Sequence, residues 1–367
     1  MNIVGRVRAS GSTTSSTSLV ERPLIFPTIG SMKYDSLDVI GIGNAIVDVL
    51  ASADDAFLVR HEMTKGAMML IDEAQAKLIY ETMGPTLVSS GGSAANTAAG
   101  IASLGGTCGY IGKVHDDNLG MEFRHDILAA GVDYRIAPAT SGPSTARCLI
   151  LVTPDAQRTM NTYLGACVNL RPEDIDEAFI RSAQITYLEG YLYDPPLAQE
   201  AFHKAAKIAH AAGRKVALSL SDSFCVHRHR DAFKQLVDLH VDVLFANEAE
   251  SNALFGTTTM RDCIAQLRGV TEVASVTLGP TGSLIVTPDD VFEIPPTDVD
   301  RVVDTTGAGD LYAAGFLYGM TSGATLIESG YFGSMAAAEV ITHMGGRPQL
   351  PLHTLVPQAR ERVLQER

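Results

Sequence analysis

The sequence predicts an α/β protein organised on a mainly parallel β-sheet, and three observations carry that prediction. Strand-like and helix-like segments alternate along most of the chain at the spacing that crossover connections need. The chain has 367 residues and 46% hydrophobic composition, enough to bury a substantial core as one large domain or two ordinary ones. Small-residue turns stand where strands give way to helices, most clearly at Gly91-Gly92 and Gly307-Ala308-Gly309, at the end of such a sheet where ligands bind.

Composition narrows the function classes. The formal net charge is −14 and the pI is near 5.1. Nucleic-acid and anionic-membrane surfaces need clustered Lys and Arg, so neither partner is expected. No uncharged apolar run reaches the roughly 18 residues that span a bilayer, and a soluble, cytoplasmic protein is expected. The cysteines Cys108, Cys148, Cys167, Cys225 and Cys263 are odd in number, scattered and without a C-x-x-C pair. That pattern fits reduced thiols better than disulfides or structural zinc. The run Cys225-Val226-His227-Arg228-His229 reads as a solvated loop or helix start ahead of 231–239, not as a metal site.

In order along the chain, residues 1–33 differ from the rest: 10–18 is nearly all Ser, Thr and Gly. A dispensable tail is expected, with a transit-like presequence or a true start at Met32 as the other readings. The first strand is expected at 38–43 and runs into Asn44-Ala45-Ile46-Val47-Asp48-Val49. A dinucleotide-binding turn is not supported, because the third glycine is missing and no acid ends a second strand about 20 residues on. Asp48 is either a carboxylate that accepts from two neighbouring hydroxyls or a solvated strand end.

A strand is expected at 66–70, and Asp72 reads as the N-cap of a helix to about 83. Gly91 and Gly92 then enter a helix of almost exclusively small residues, in which backbone can come close to a ligand. Asn96 stands among the alanines, and packing alone does not explain it. A short strand at 108–114 and a helix at about 118–130 follow. Segments 145–152 and 158–164 read as a hairpin around 153–156, with Arg158 just past the turn.

The βα rhythm resumes with a helix at 173–181, a strand at 184–188, a helix at 196–212, a strand at 215–221, a helix at 231–239 and a strand at 241–246. That last strand ends in Asn247-Glu248-Ala249-Glu250, which sets Asn247 and Glu250 on one helical face, as oxygen ligands for hydrated Mg²⁺ or as a plain helix cap. The strand at 273–278 closes in Thr277-Leu278-Gly279-Pro280-Thr281-Gly282, a glycine β-turn before 283–287. A helix rich in Ala and Ser runs from 325 to about 343 and stops at Gly345-Gly346-Arg347-Pro348.

The chemistry concentrates in Asp304-Thr305-Thr306-Gly307-Ala308-Gly309-Asp310, followed at once by a buried helix. Small residues let peptide N–H groups crowd together, and the helix start adds unpaired donors and the positive end of its dipole, so a phosphate fits. Asp310 in the first turn would repel that phosphate unless it serves as a base toward a hydroxyl attacking it.

The string resembles the C-terminal signature of the ribokinase-like (PfkB) carbohydrate and nucleoside kinases. Gly91-Gly92-x-x-x-Asn96 with its closing Leu104-Gly105 resembles their N-terminal signature, and the agreement spans about 36–352. The resemblance implies a three-layer α/β/α ribokinase-like fold with a mainly parallel central sheet and a small β-sheet lid, from insertions at about 51–71 and 140–165 in a domain over 34–352. A C-terminal helix or tail at 353–367 follows. It implies an ATP- and Mg²⁺-dependent phosphotransferase in which the Gly307, Ala308 and Gly309 amides form the anion hole and Asp310 is the base. Asn44, Asp48, Gly91, Gly92 and Asn96 would hold the substrate. Asn247, Glu250, Thr277, Gly279, Gly282 and Thr306 would serve the nucleotide, with Glu250 and Asn247 at the metal through water and Arg158 reaching the phosphates. A monovalent cation such as K⁺ near Asp304 and Thr306 is implied as well.

The strings around Asn44, Gly91 and Arg158-Thr159-Met160-Asn161 are most similar to the adenosine-kinase branch. They imply conversion of adenosine to AMP, a purine-salvage reaction, with a sugar such as ribose or fructose as the runner-up. The base pocket would draw on lid side chains, with Met68, Met69, Tyr163 and Leu164 as candidates. A monomer or homodimer is implied.

Overall fold

In the computed structural model, residues 36–155 and 157–365 are described; the tail expected at 1–33 lies outside them. The strands in chain order are β1 (Leu37–Ile42), β2 (Ile46–Ser52), β3 (Met68–Leu70), β4 (Leu87–Gly91), β5 (Cys108–Ile111), β6 (Asp133–Tyr134) and β7 (Ala146–Val152). Then come β8 (Arg158–Tyr163), β9 (Ala183–Glu189), β10 (Lys215–Ser219), β11 (Val243–Asn247), β12 (Val273–Thr277), β13 (Ser283–Val286) and β14 (Val291–Ile294).

Nine of them form one sheet in the order β14-β13-β12-β11-β10-β9-β1-β5-β6. It is parallel from β12 to β6; β13 runs antiparallel to both its neighbours, so β14 points the same way as the parallel strands. Strands covered on both faces must be apolar throughout, and β1 and β5 are almost entirely buried. One face packs on the helices Ser93–Ser103, Ala308–Thr321 and Leu326–Val340. The other packs on Pro196–Ala211 and Arg230–His240. The result is the three-layer α/β/α fold expected from the sequence.

The other five strands form a second sheet, β3-β8-β7-β2-β4. Its register sets Asp48, Cys148, Thr162 and Leu70 in one row, and Leu50, Ile150, Met160 and Met68 in the next. Side chains alternate across the pleat, so these rows share one face. Val47, Val49, Leu149 and Leu151 take the other and are buried in the core.

Several expectations change. The first strand does not simply run on into 44–49: the chain leaves the central sheet after Ile42, and Asp48 sits mid-strand in β2 of the second sheet. The alternation of half-buried and buried residues in β2 is the signature of that one-sided strand. The polar run before Gly92 is β4, paired antiparallel with β2. Within the insertion expected at about 51–71 to build the β-sheet lid, Asp55–Arg60 is instead a helix, capped by Asp54. The helix expected at 173–181 is broken into a 3₁₀ turn, Pro172–Asp174, and a short helix, Glu177–Arg181. Between them Ile175 is extended and 3% exposed, so its burial wins over helical continuity. The helix expected to reach 343 ends at Val340. A final helix covers Val356–Gln365.

Candidate active site

The C-terminal ends of the parallel strands carry Asn44 after β1, Glu189 on β9, Ser219 on β10, Asn247 on β11 and Thr277 on β12. With the open face of the second sheet and the turn at 305–310 they enclose a cavity of about 740 Å³. Asn44, Asp48, Gly92, Asn96, Asn247, Glu250, Thr277, Thr306, Gly307, Ala308, Gly309 and Asp310 all line it. Twelve positions expected from sequence are therefore brought together.

The turn is built from Asp304 outward. Its Oδ1 accepts from the N–H of Thr306 at 3.0 Å and from the Thr306 hydroxyl at 2.8 Å. Its Oδ2 accepts from the N–H of Gly345 at 2.9 Å and from Nη1 of Arg158. Gly307 then caps the helix with φ 79°, in the left-handed region that only glycine enters cheaply. An added Cβ there would lie 2.6 Å from Cα of Gly346. The N–H groups of Gly307 and Gly309 donate to no backbone oxygen, which leaves them at the helix start for an anion. The Ala308 N–H turns back to the carbonyl of Thr305 at 3.2 Å, so Ala308 adds little as a donor.

Asp310 lies in the first turn, its carboxylate held by the Ser93 hydroxyl at 2.6 Å and the Asn96 amide at 3.0 Å. The Thr97 hydroxyl fixes its backbone carbonyl at 3.1 Å. Burial raises the Asp310 carboxyl above its ordinary range, and the bonds from Ser93 and Asn96 pull it back down. It is thereby poised as a proton acceptor with its orientation fixed.

Asp48 faces it across the cavity. Burial, with the charges of Asp310 and Asp304, pushes the Asp48 carboxyl up to about 6 against the opposing pull of Arg347 and Arg158. Gly91 sits behind Asp48, where an added Cβ would come within 2.6 Å of its carboxyl carbon; Gly91 therefore makes room for Asp48 and does not itself line the cavity. Gly92, with φ 96°, caps the helix Ser93–Ser103. Asn44 is 2% exposed; its amide donates to Glu189 at 2.8 Å, and its Oδ1 is buried without a partner among the described residues. A buried acceptor without a donor suits a ligand hydroxyl.

At the far end Asn247 and Glu250 form a reciprocal capping box. The Asn247 side chain accepts from the Glu250 N–H at 2.8 Å, and Glu250 accepts from the Asn247 amide at 2.7 Å and N–H at 2.9 Å. The cap and the ligand reading coexist, because each Glu250 oxygen keeps a lone pair toward the cavity. Glu250 is 7% exposed and has no cationic partner among the described residues. Burial raises its carboxyl to about 7. A buried carboxylate in that state fits a divalent cation. Gly279 and Gly282, with φ 61° and 100°, shape the β12–β13 turn behind Thr277 without lining the cavity.

Arg158 does not line the cavity either. It is half-buried, paired with Asp304 and bonded to the Thr306 hydroxyl at 3.0 Å, so it braces the entry to the glycine turn. Met68 and Leu164 line the cavity whereas Met69 and Tyr163 do not.

Three residues escaped sequence reasoning. Ser93 holds Asp310. Glu189, 1% exposed, accepts from Asn44 and from the Ala94 N–H at 2.7 Å, fixing the β1–β2 turn and the start of the helix Ser93–Ser103 at once. Burial raises its carboxyl to about 7. Arg347, read only as part of a helix stop, donates to Oδ1 of Asn96 at 3.4 Å and so orients its amide. A lone acid ending an apolar strand was the one available signal for Glu189.

Residues 79–353 match the model of the pfkB family carbohydrate kinases. An adenosine kinase of Saccharomyces cerevisiae is 26% identical over 327 residues, 83% of this chain and 94% of that protein. The crystal structure of an adenosine kinase from Sinorhizobium meliloti superposes with TM-score 0.82 at 50% identity, covering 88% of this chain and 99% of that one. A probable sugar kinase from Rhizobium etli superposes with TM-score 0.83 at 46% identity, covering 89% and 99%.

Proposed function

The chain belongs to the pfkB family of carbohydrate kinases, a nucleoside or sugar kinase that transfers a phosphoryl group to an alcohol, and we propose that its acceptor is the 5′-hydroxyl of adenosine. ATP is the phosphoryl donor, and the products are AMP and ADP. The observation that carries this reading is the shared cavity. Asp310 and Asp48 open onto one space, and around Asp48 the second sheet offers Ile46, Met68, Leu70 and Met160, with Leu164 just past β8. A carboxylate that grips two ribose hydroxyls, next to an apolar wall that covers a flat base, suits a nucleoside better than a free sugar. Similarity to the Sinorhizobium meliloti adenosine kinase points the same way.

In this mechanism Asp48 and the orphaned Oδ1 of Asn44 bind ribose hydroxyls and bring the 5′-hydroxyl to Asp310. The Asp310 carboxylate takes that proton as the oxygen bonds to the γ-phosphorus and the bond to the ADP oxygen breaks. The Gly307 and Gly309 amides receive charge on the transferred group. Mg²⁺ supplies neutralising charge on the phosphates when bound; Glu250 and Asn247 would hold it through water. Thr277 and Thr306 face the nucleotide, with Gly279 and Gly282 shaping the turn behind Thr277. The second sheet, with insertions at about 51–71 and 140–165, serves as the lid. A cytoplasmic role in purine salvage, as monomer or homodimer, completes the reading.

Measuring ADP release with adenosine, inosine, guanosine, ribose and fructose tests it. Adenosine should give the highest kcat/KM. A higher value for ribose or fructose moves the protein to the sugar reading that the Rhizobium etli relative supports, and no turnover with any acceptor overturns the kinase reading.

A further inference from the structure

A monovalent cation at Asp304 needs a carboxylate with lone pairs to spare, and those of Asp304 are spent. Each Asp304 oxygen accepts from two donors: Thr306 N–H and hydroxyl on Oδ1, Gly345 N–H and Arg158 Nη1 on Oδ2. The Thr306 hydroxyl accepts from Arg158 at 3.0 Å while donating to Asp304. One neighbouring backbone oxygen is filled as well. The carbonyl of Ile341 accepts from the N–H groups of Val303, at 2.8 Å, and Asp304, at 3.3 Å. A ring of N–H and O–H donors closing on one carboxylate is chemistry for a guanidinium. It does not suit a bare cation.

We propose that Arg158 takes the place of a monovalent cation at Asp304, so that the enzyme needs none. Arg158 is fixed there: its side chain is 11% exposed and that of Asp304 5%. A guanidinium stays charged at every working pH, so the positive charge at the entry to the glycine turn is permanent and not set by salt. Nε and Nη2 of Arg158 are buried and make no hydrogen bond among the described residues. That leaves two donors beyond the pair with Asp304. Arg158 opens β8 and so ties the turn to the second sheet. The charge behind the anion hole therefore depends on where that sheet stands.

The catalytic part of this inference rests on the kinase reading, so the test has an arm that needs no turnover. The full-length protein is titrated with thallous ion, a K⁺ surrogate, by ²⁰⁵Tl NMR, with K⁺ as competitor. No saturable, K⁺-displaceable binding is expected; such binding overturns the proposal whether or not any substrate is turned over. In the second arm, phosphorylation is compared in KCl and in tetramethylammonium chloride at equal ionic strength, which cancels general screening. The two rates should agree within about twofold for the native protein, whereas tenfold or greater activation by K⁺ refutes the idea. Arg158→Gln, which removes the charge but keeps a donor, should lose ~10²-fold in tetramethylammonium and regain part of that in K⁺. A Gln variant as active as the native protein in tetramethylammonium also refutes it. Arg158→Lys keeps a charge and should stay insensitive to K⁺.

Discussion

The Ser93 hydroxyl donates to Oδ1 of Asp310 at 2.6 Å, across 217 residues of sequence. With Asn96 on the other oxygen, it makes the helix that follows Gly92 a rack for the residue at the start of another helix. The helix after Gly92 and the helix after Gly307 thus meet on one carboxylate.

Asp310→Asn keeps those contacts in shape but removes the base. Turnover should fall by ~10²-fold or more while ATP still binds. Ser93→Ala leaves the base in place and removes one bond to its ionised form, so the acid limb of the kcat profile should move to higher pH. An unchanged rate for the Asn variant, measured with quenched-flow ADP release, removes Asp310 from the base role.

Asp48 gives a second pH signature. Only its ionised form accepts from two hydroxyls, and its carboxyl is raised to about 6. Lowering pH through 6 should therefore raise KM for the acceptor, with KM for ATP little changed. Asp48→Asn should weaken acceptor binding at all pH values and abolish that limb. A pH series of KM for both substrates checks this.

Gly307→Ala forces a side chain into the left-handed region and against Gly346. A stability loss of about 1–2 kcal/mol is expected, together with near-complete loss of phosphoryl transfer, because the amide at 307 must turn away. A Cβ at Gly309 meets nothing within 4 Å. Gly309→Ala should fold normally and mainly raise KM for ATP. Thermal denaturation and steady-state kinetics on the pair separate the two effects.

Glu250 links pH to stability. Its folded carboxyl titrates near 7, raised by burial, so the folded state holds a proton that the unfolded chain releases at lower pH. Stability of the ligand-free protein should fall as pH rises from about 4.5 to 7, by up to about 3 kcal/mol from this group, and level off above that. Glu250→Gln removes this loss, so the variant should melt at higher temperature than the native protein at pH 8. The same substitution should weaken Mg²⁺-dependent ATP binding. Calorimetry across pH and a Mg²⁺ titration of ATP binding read the two opposite effects.

The strings Gly91-Gly92-x-x-x-Asn96, Asn247-x-x-Glu250 and Asp304 to Asp310 were legible because each is local. The turn, the cap and the first helical residue lie within one short segment, where spacing dictates geometry. The βα order and the parallel sheet were legible for the same reason, since hydrophobic period and turn chemistry are local signals. Those signals determined the fold class and the position of the glycine turn.

Tertiary structure alone decided what those strings lean on. Glu189 reaches Asn44 across 145 residues, Arg158 reaches Asp304 across 146, and Arg347 reaches Asn96 across 251. It also moved β2 and β4 into the second sheet, which makes Asp48 a cavity wall. A contact between distant residues leaves no periodicity along the chain. Which of many buried acids and arginines pair is fixed only when packing removes water and each charge must find a partner.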